Sequence, residues 1–207
     1  MALPKRITIH ELGPREGMQI EKNPVSTEQK VRLIDLLSEC NFAEIETVSF
    51  VNPKWVPQMA DAEAVVAGFK PRDGTRYTGI YLNTQGMARA LATKKLFVEG
   101  SLSVTASETF SKKNTNRTIA ETIVETERRV QAFKEANVAA HEVSVMAAFG
   151  CNYEGDVPQP HVISLIDRLM GIAKDNGLDI RLIQLADTMG WASSPRSAAI
   201  PRTSRAA

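Results

Sequence analysis

The chain has 207 residues, and 25 Lys and Arg against 24 Asp and Glu leave a formal net charge of +1. That length suffices for one good-sized domain with an apolar core, and the charge balance gives no footprint for nucleic acid or an acidic membrane surface. No apolar run is long enough to span a bilayer, no signal-peptide or transit-peptide pattern fits Met1 to Lys5, and the two cysteines, Cys40 and Cys151, form neither a disulfide framework nor a CxxC metal site, so a cytoplasmic protein with reduced thiols is expected.

Arg6 to Leu12 alternates apolar and polar residues and predicts a first strand. A Gly- and Pro-rich loop follows, from Gly13 to Pro24. Ser26 with Gln29 is a capping-box signature, and Leu33, Leu36, Leu37 and Cys40 mark one helix face. Ala43 to Ser49 is a second strand, and Phe50 to Ala60 a long loop. Asp61 is placed to cap a helix through Phe69. Thr75 to Leu82 is a third strand, then a helix to about Leu96.

Gly100 to Thr105 is a fourth strand, with a polar loop from Ser107 to Arg117. Thr118 and Glu121 form a second capping box, opening a helix to about Asn137. Ala140 to Ala147 is strand five and Gly150 to Pro160 a loop. Val162, Leu165, Ile166 and Leu169 mark a further helix face that Gly177 terminates. Asp179 to Leu185 is strand six. Beyond Gly190 the sequence is rich in Ser, Ala, Pro and Arg and reads as an irregular tail.

This βα alternation implies parallel strands with right-handed crossovers. A doubly wound sheet and a (β/α)8 TIM-type barrel compete. Neither GxGxxG nor GxxxxGK[ST] is present, whereas polar residues recur after nearly every strand, where a barrel gathers its active site. The barrel is favoured, with about six of its eight strands: residues 1–190 as a partial barrel and 191–207 as the tail.

Four segments carry chemistry. Arg15 and Glu16 follow strand one. A carboxylate there suits a hard cation and a guanidinium suits an oxygen gaining negative charge; a surface pair on a turn is the plain alternative. Glu46 lies inside a strand, where burial demands a partner, and Arg15 is the expected one. The loop with Pro53, Trp55, Val56, Pro57 and Met59 either walls a pocket or covers a rim. Lys112 and Lys113 suit the phosphates of a nucleotide-bearing thioester, or are simply solvated. Asp187 is a candidate base or a cap. His10, His141 and His161 form no HxH or HExxH pair, so a His-based metal site cannot be drawn.

Taken together, GPREGMQ, IETVSFVNPKWVPQMAD, ASETFSKKN, GCNYEG and LADTMG resemble the hydroxymethylglutaryl-CoA lyases of the DRE-TIM metallolyase superfamily, over nearly the whole chain to Gly190. The resemblance implies a retro-Claisen cleavage of 3-hydroxy-3-methylglutaryl-CoA to acetyl-CoA and acetoacetate with Mg2+ or Mn2+, as in leucine degradation and ketone-body metabolism. It places Arg15 at the enolate oxygen, Glu46 beside that arginine, Asp187 near the reacting hydroxyl and Glu16 at the first metal carboxylate. Gln19, Ser49, Ser107, Lys112 and Asn114 fall with the substrate contacts. The partner implied is an acyl-CoA, with no nucleic acid or membrane and homo-oligomerisation left open.

Two departures stand out. The lyase branch carries Asp where Glu16 stands, and related synthases carry Glu. The family's HxH pair, Asn ligand and catalytic cysteine loop belong to strands seven and eight and have no counterpart here; Cys151 lies in a different loop. The alternatives are therefore an inactive truncated or frameshifted product, or an aldol-type synthase joining an acyl-CoA to a 2-oxo acid.

Overall fold

Parallel neighbours need a helical crossover between them, and the two capping boxes start two of these crossovers. The computed structural model describes residue 5 and residues 7–193; Arg6 and the expected tail from residue 194 onward lie outside the described residues. The chain divides into two compact units, one ending at Val98 and one beginning at Glu99.

The first unit comprises β1 (His10–Glu11), α1 (Gly13–Ile20), α2 (Thr27–Ser38), β2 (Glu44–Ser49), a 3-10 turn (Pro57–Met59), α3 (Ala62–Gly68), β3 (Arg76–Ile80) and α4 (Thr84–Ala92). Its strands form a parallel sheet ordered β1-β2-β3. The α2 capping box is present: Gln29 N donates to Ser26 Oγ at 3.3 Å and Ser26 N to Gln29 Oε1 at 3.0 Å.

Helix α2 corrects the predicted face. It buries Lys30, Ile34 and Ser38, while Cys40 is exposed and Leu36 is 51% exposed. The polar members of that face are satisfied, so apolar spacing alone misses them, although the predicted Leu37 does pack against the core. The Tyr77 hydroxyl donates to Ser38 Oγ at 2.8 Å, and Lys30 Nζ donates to Gln58 O at 2.5 Å and Asp61 Oδ1 at 2.6 Å. Asp61 accordingly does not cap α3; its carboxylate ties the loop before that helix to α2.

Ile34, Ile45, Val48, Phe50, Val65 and Phe69 share one core on the helix-covered side of β2. Ile45 and Val48 share a side only because a register shift between Glu46 and Val48 breaks the strict alternation of the strand. The same bulge puts Ser49 on the face of Glu44 and Glu46. Glu44 is paired there with Arg76, and Thr78 Oγ1 donates to it at 3.3 Å.

The second unit comprises β4 (Gly100–Thr105), α5 (Glu108–Thr115), α6 (Ile119–Glu135), β5 (Ala140–Met146), β6 (Gly150–Cys151), β7 (Gly155–Asp156), α7 (Gln159–Asp175) and β8 (Leu182–Leu185). Its parallel sheet is ordered β4-β5-β8, and β6 and β7 form a small antiparallel hairpin within the expected 150–160 loop. The Thr118–Glu121 capping box is formed, and α7 buries Val162, Leu165 and Leu169 as its periodicity predicts. At Gly100 a Cβ would lie 2.7 Å from the Phe133 ring, so only glycine lets α6 settle on this strand.

Strand order does not choose between barrel and doubly wound sheet, because three consecutive strands lie side by side in both. Both architectures bury their parallel strands on two faces, and β2 alternates buried Ile45 with half-buried Glu44 and Glu46.

Candidate functional site

Strand β1 ends at Glu11, and the chain enters α1 rather than the loop expected over Gly13–Pro24. Gly and Pro make that stretch read as a turn, yet Pro14 sits in the first helical turn, where no intrahelical N–H is lost. The helix fixes the geometry of Arg15 and Gln19, which lie one turn apart on one side of it and are half-buried.

Arg15 Nε donates to Glu46 Oε1 at 2.5 Å, with both side chains at most 15% exposed. Its Nη1 pairs with the Glu16 carboxylate, whose side chain is 55% exposed. Neither bond uses Nη2, so that edge of the guanidinium is unengaged among the described residues. Ser49, at the end of β2, is fully buried and its Oγ has no hydrogen-bond partner. A buried hydroxyl without a partner costs about 1–3 kcal/mol, and such an orphan at a strand end marks a place where a ligand atom completes the network.

Ser107, Lys112, Asn114 and Asp187 belong to the second unit, and Arg15, Glu16, Gln19, Glu46 and Ser49 to the first. Ser107 to Arg117, expected as a loop, holds helix α5. Buried Ser107 caps it, its Oγ accepting from Phe110 N at 3.1 Å. Lys112 is exposed and 3.4 Å from Glu108 Oε1, Asn114 is exposed, and Lys113 Nζ stands 4.8 Å from the Tyr153 ring centroid. Asp187 is exposed and closes a turn, Oδ1 accepting from Trp191 N at 2.7 Å; its Oδ2 is unengaged among the described residues.

Sequence reasoning missed what links these loops. Glu154, on the β6–β7 hairpin, accepts from Thr109 N at 2.6 Å. Partial burial pushes its carboxyl upward, but hydrogen bonds from Thr109, Ser107 and the Glu108 amide outweigh this and hold it below the usual range. Trp191 Nε1 donates to Asn152 Oδ1 at 2.8 Å, and Asn152 N meets Met189 Sδ at 3.0 Å. The ASETFSKKN, GCNYEG and LADTMGW strings are thus one connected polar surface. Their sequence separation hides this.

Among the described residues no three His, Cys, Asp or Glu side chains gather as a metal site. Glu16 is a single carboxylate, already engaged by Arg15.

The model of the family described as HMGL-like matches residues 6–201. Over 190 residues the chain is 40% identical to the mitochondrial hydroxymethylglutaryl-CoA lyase of Pongo abelii, covering 91% of this chain and 55% of that protein. It is 41% identical to the cytoplasmic 3-hydroxy-3-methylglutaryl-CoA lyase of Danio rerio, covering 91% and 53%. The chain thus spans about half the length of the curated relatives it matches. Among solved structures, an HMG-CoA lyase from Acinetobacter baumannii in complex with coenzyme A and 3-methylmalate superposes with a TM-score of 0.77 at 31% identity, over 91% of this chain and 59% of that one. The fold is therefore of the (β/α)8 TIM-barrel type, with six parallel strands among the described residues.

Proposed function

This chain belongs to the HMGL-like family, and on that premise we propose that it carries the substrate-activating half of an acyl-CoA carbon–carbon lyase, cleaving 3-hydroxy-3-methylglutaryl-CoA to acetyl-CoA and acetoacetate. The observation that carries this reading is Arg15, held by Glu46 with its Nη2 edge unengaged among the described residues. Such a guanidinium offers donors to an oxygen that gains charge only as a bond breaks.

In retro-Claisen cleavage the tertiary hydroxyl loses its proton, the alkoxide collapses to a ketone, and the electron pair of the breaking carbon–carbon bond enters the thioester as an enolate. Asp187 is the group assigned to the hydroxyl proton. Arg15 stabilises the enolate oxygen, and Glu46 keeps its guanidinium oriented. The Ser49 hydroxyl and Gln19 side chain contact the acyl group, while Ser107, Lys112 and Asn114 hold the coenzyme A part.

The family depends in general on a divalent metal, and this reading takes it to be Mg2+ or Mn2+. Glu16 is the one assigned carboxylate, and a hard cation asks for several oxygens. The described residues do not make up that site. The cytoplasm is the compartment kept in this reading, with cell fractionation as its check.

The test is release of acetyl-CoA and acetoacetate from 3-hydroxy-3-methylglutaryl-CoA by the purified chain, with Mg2+ or Mn2+ supplied. Release by wild type that Arg15→Gln abolishes supports the reading; undiminished release by Arg15→Gln removes Arg15 from it. A second reading rests on Glu16, which stands where related synthases also carry Glu: an aldol-type condensation of an acyl-CoA with a 2-oxo acid. A condensed product from acetyl-CoA and a 2-oxo acid would favour it.

A further inference from the structure

Helix α5 has eight residues, too short to hold itself in water. Its first turn is completed from outside. Glu154 accepts from Thr109 N at 2.6 Å. A negative charge on the exposed amides at a helix start is favourable. One residue earlier on the same hairpin, the Tyr153 ring receives the Lys113 ammonium at 4.8 Å. The hairpin is fixed in turn, because Asn152 bonds both the Trp191 indole and Met189, and the Trp191 ring lies against Gly150. Two points of attachment set how α5 presents its solvent side, where the Lys112 side chain is 59% exposed and stands 3.4 Å from Glu108 Oε1.

We propose that Glu154 is a positioning residue for acyl-CoA binding, clamping the first turn of α5 so that Lys112 stands preorganised for the phosphates of coenzyme A. This rests on the acyl-CoA reading above and adds a residue that does not itself touch the ligand. Preorganisation works by sparing the ordering cost on binding. Without the Glu154 charge α5 frays, and Lys112 must be ordered when coenzyme A arrives.

The test is a double-mutant cycle on the purified chain, titrated with coenzyme A by calorimetry: wild type, Glu154→Gln, Lys112→Ala and the double variant. Glu154→Gln is expected to weaken binding about tenfold, the size of one charge-assisted hydrogen bond. The double variant is expected to bind no more weakly than Lys112→Ala, because Glu154 acts through that lysine. Glu154→Asp, which keeps the charge on a shorter arm, is expected between wild type and Glu154→Gln. Additive losses in the cycle overturn the proposal, as does unchanged binding by Glu154→Gln or Glu154→Asp no tighter than Glu154→Gln. Failure of the wild type to bind coenzyme A overturns the acyl-CoA reading and the clamp with it, which separates that failure from the others.

Discussion

Arg15 on α1 and Glu46 on β2 meet at 2.5 Å, Nε to Oε1, across 31 residues of sequence. The bond uses one edge of the guanidinium and fixes its plane. Glu46→Gln keeps the size and removes the charge, so Arg15 is less firmly aimed. On the proposed lyase reading, turnover of the acyl-CoA substrate is expected to fall about 10–100-fold, the worth of a charge-assisted bond, with KM changed far less. Arg15→Gln, which removes the donor itself, is expected to cost about 100–1000-fold in kcat. Steady-state kinetics decide: a rise in KM with kcat untouched would make Arg15 a ground-state binder instead.

Lys30 and Asp61 form a largely buried pair that ties the Pro57–Met59 turn to α2. Burial pushes the Asp61 carboxyl up, but the Lys30 ammonium and Thr27 hydroxyl outweigh it and hold the group below its usual value. Lys30→Met is expected to destabilise by about 2 kcal/mol, less than the roughly 3–5 of a fully buried pair because Asp61 keeps partial access to water. The sign with pH follows from the lowered value: this stability is complete above the ordinary carboxylate pKa and disappears as pH falls through the folded one. Thermal melts of wild type and Lys30→Met are expected to differ at neutral pH and converge below about pH 4. A constant difference throughout would assign the loss to packing.

Glu142 on β5 behaves oppositely. Burial, with the Glu99 charge adding to it, raises its carboxyl above the ordinary value of 4.5. The folded chain therefore holds this proton more tightly than the unfolded chain, and stability falls as pH rises above 4.5 towards the raised value. Glu142→Gln is expected to melt a few degrees higher at neutral pH, and to lose that advantage below about pH 4. A lower melting temperature at neutral pH would mean that the carboxylate has a stabilising partner.

Gly150 lies under the Trp191 ring, and a Cβ there would approach its carbons to 2.5 Å. Gly150→Ala is expected to push the indole off the hairpin and break its bond to Asn152. With Trp55 replaced by Phe, Trp191 is the one remaining tryptophan, since the sequence holds two. Its emission should shift to the red in Gly150→Ala, and unchanged emission would place the ring elsewhere in solution.

The α7 face, both capping boxes and the alternation of strands with crossovers were legible in the sequence. Each depends on neighbours within one or two turns of chain, where spacing alone carries the signal. Helices α1 and α5 were not legible, since Gly, Pro and polar residues favour loops locally. Helix α1 holds against β2 through the Arg15–Glu46 pair, and α5 is capped from a hairpin some 45 residues onward. The buried face of α2 escaped for the same reason, because Lys30 and Ser38 are tolerable inside only with the partners that the fold supplies.

By itself, then, the sequence determined the α/β class, the alternation of the main strands with their crossover helices and the residue types a lyase of this kind needs. The tertiary structure alone decided which of them meet. A bulge moves Ser49 onto the face of Glu46, and one hairpin binds α5 to the loop bearing Asp187. Both outcomes come from hydrogen bonds between distant segments, whose energy exists only once the chain has closed upon itself.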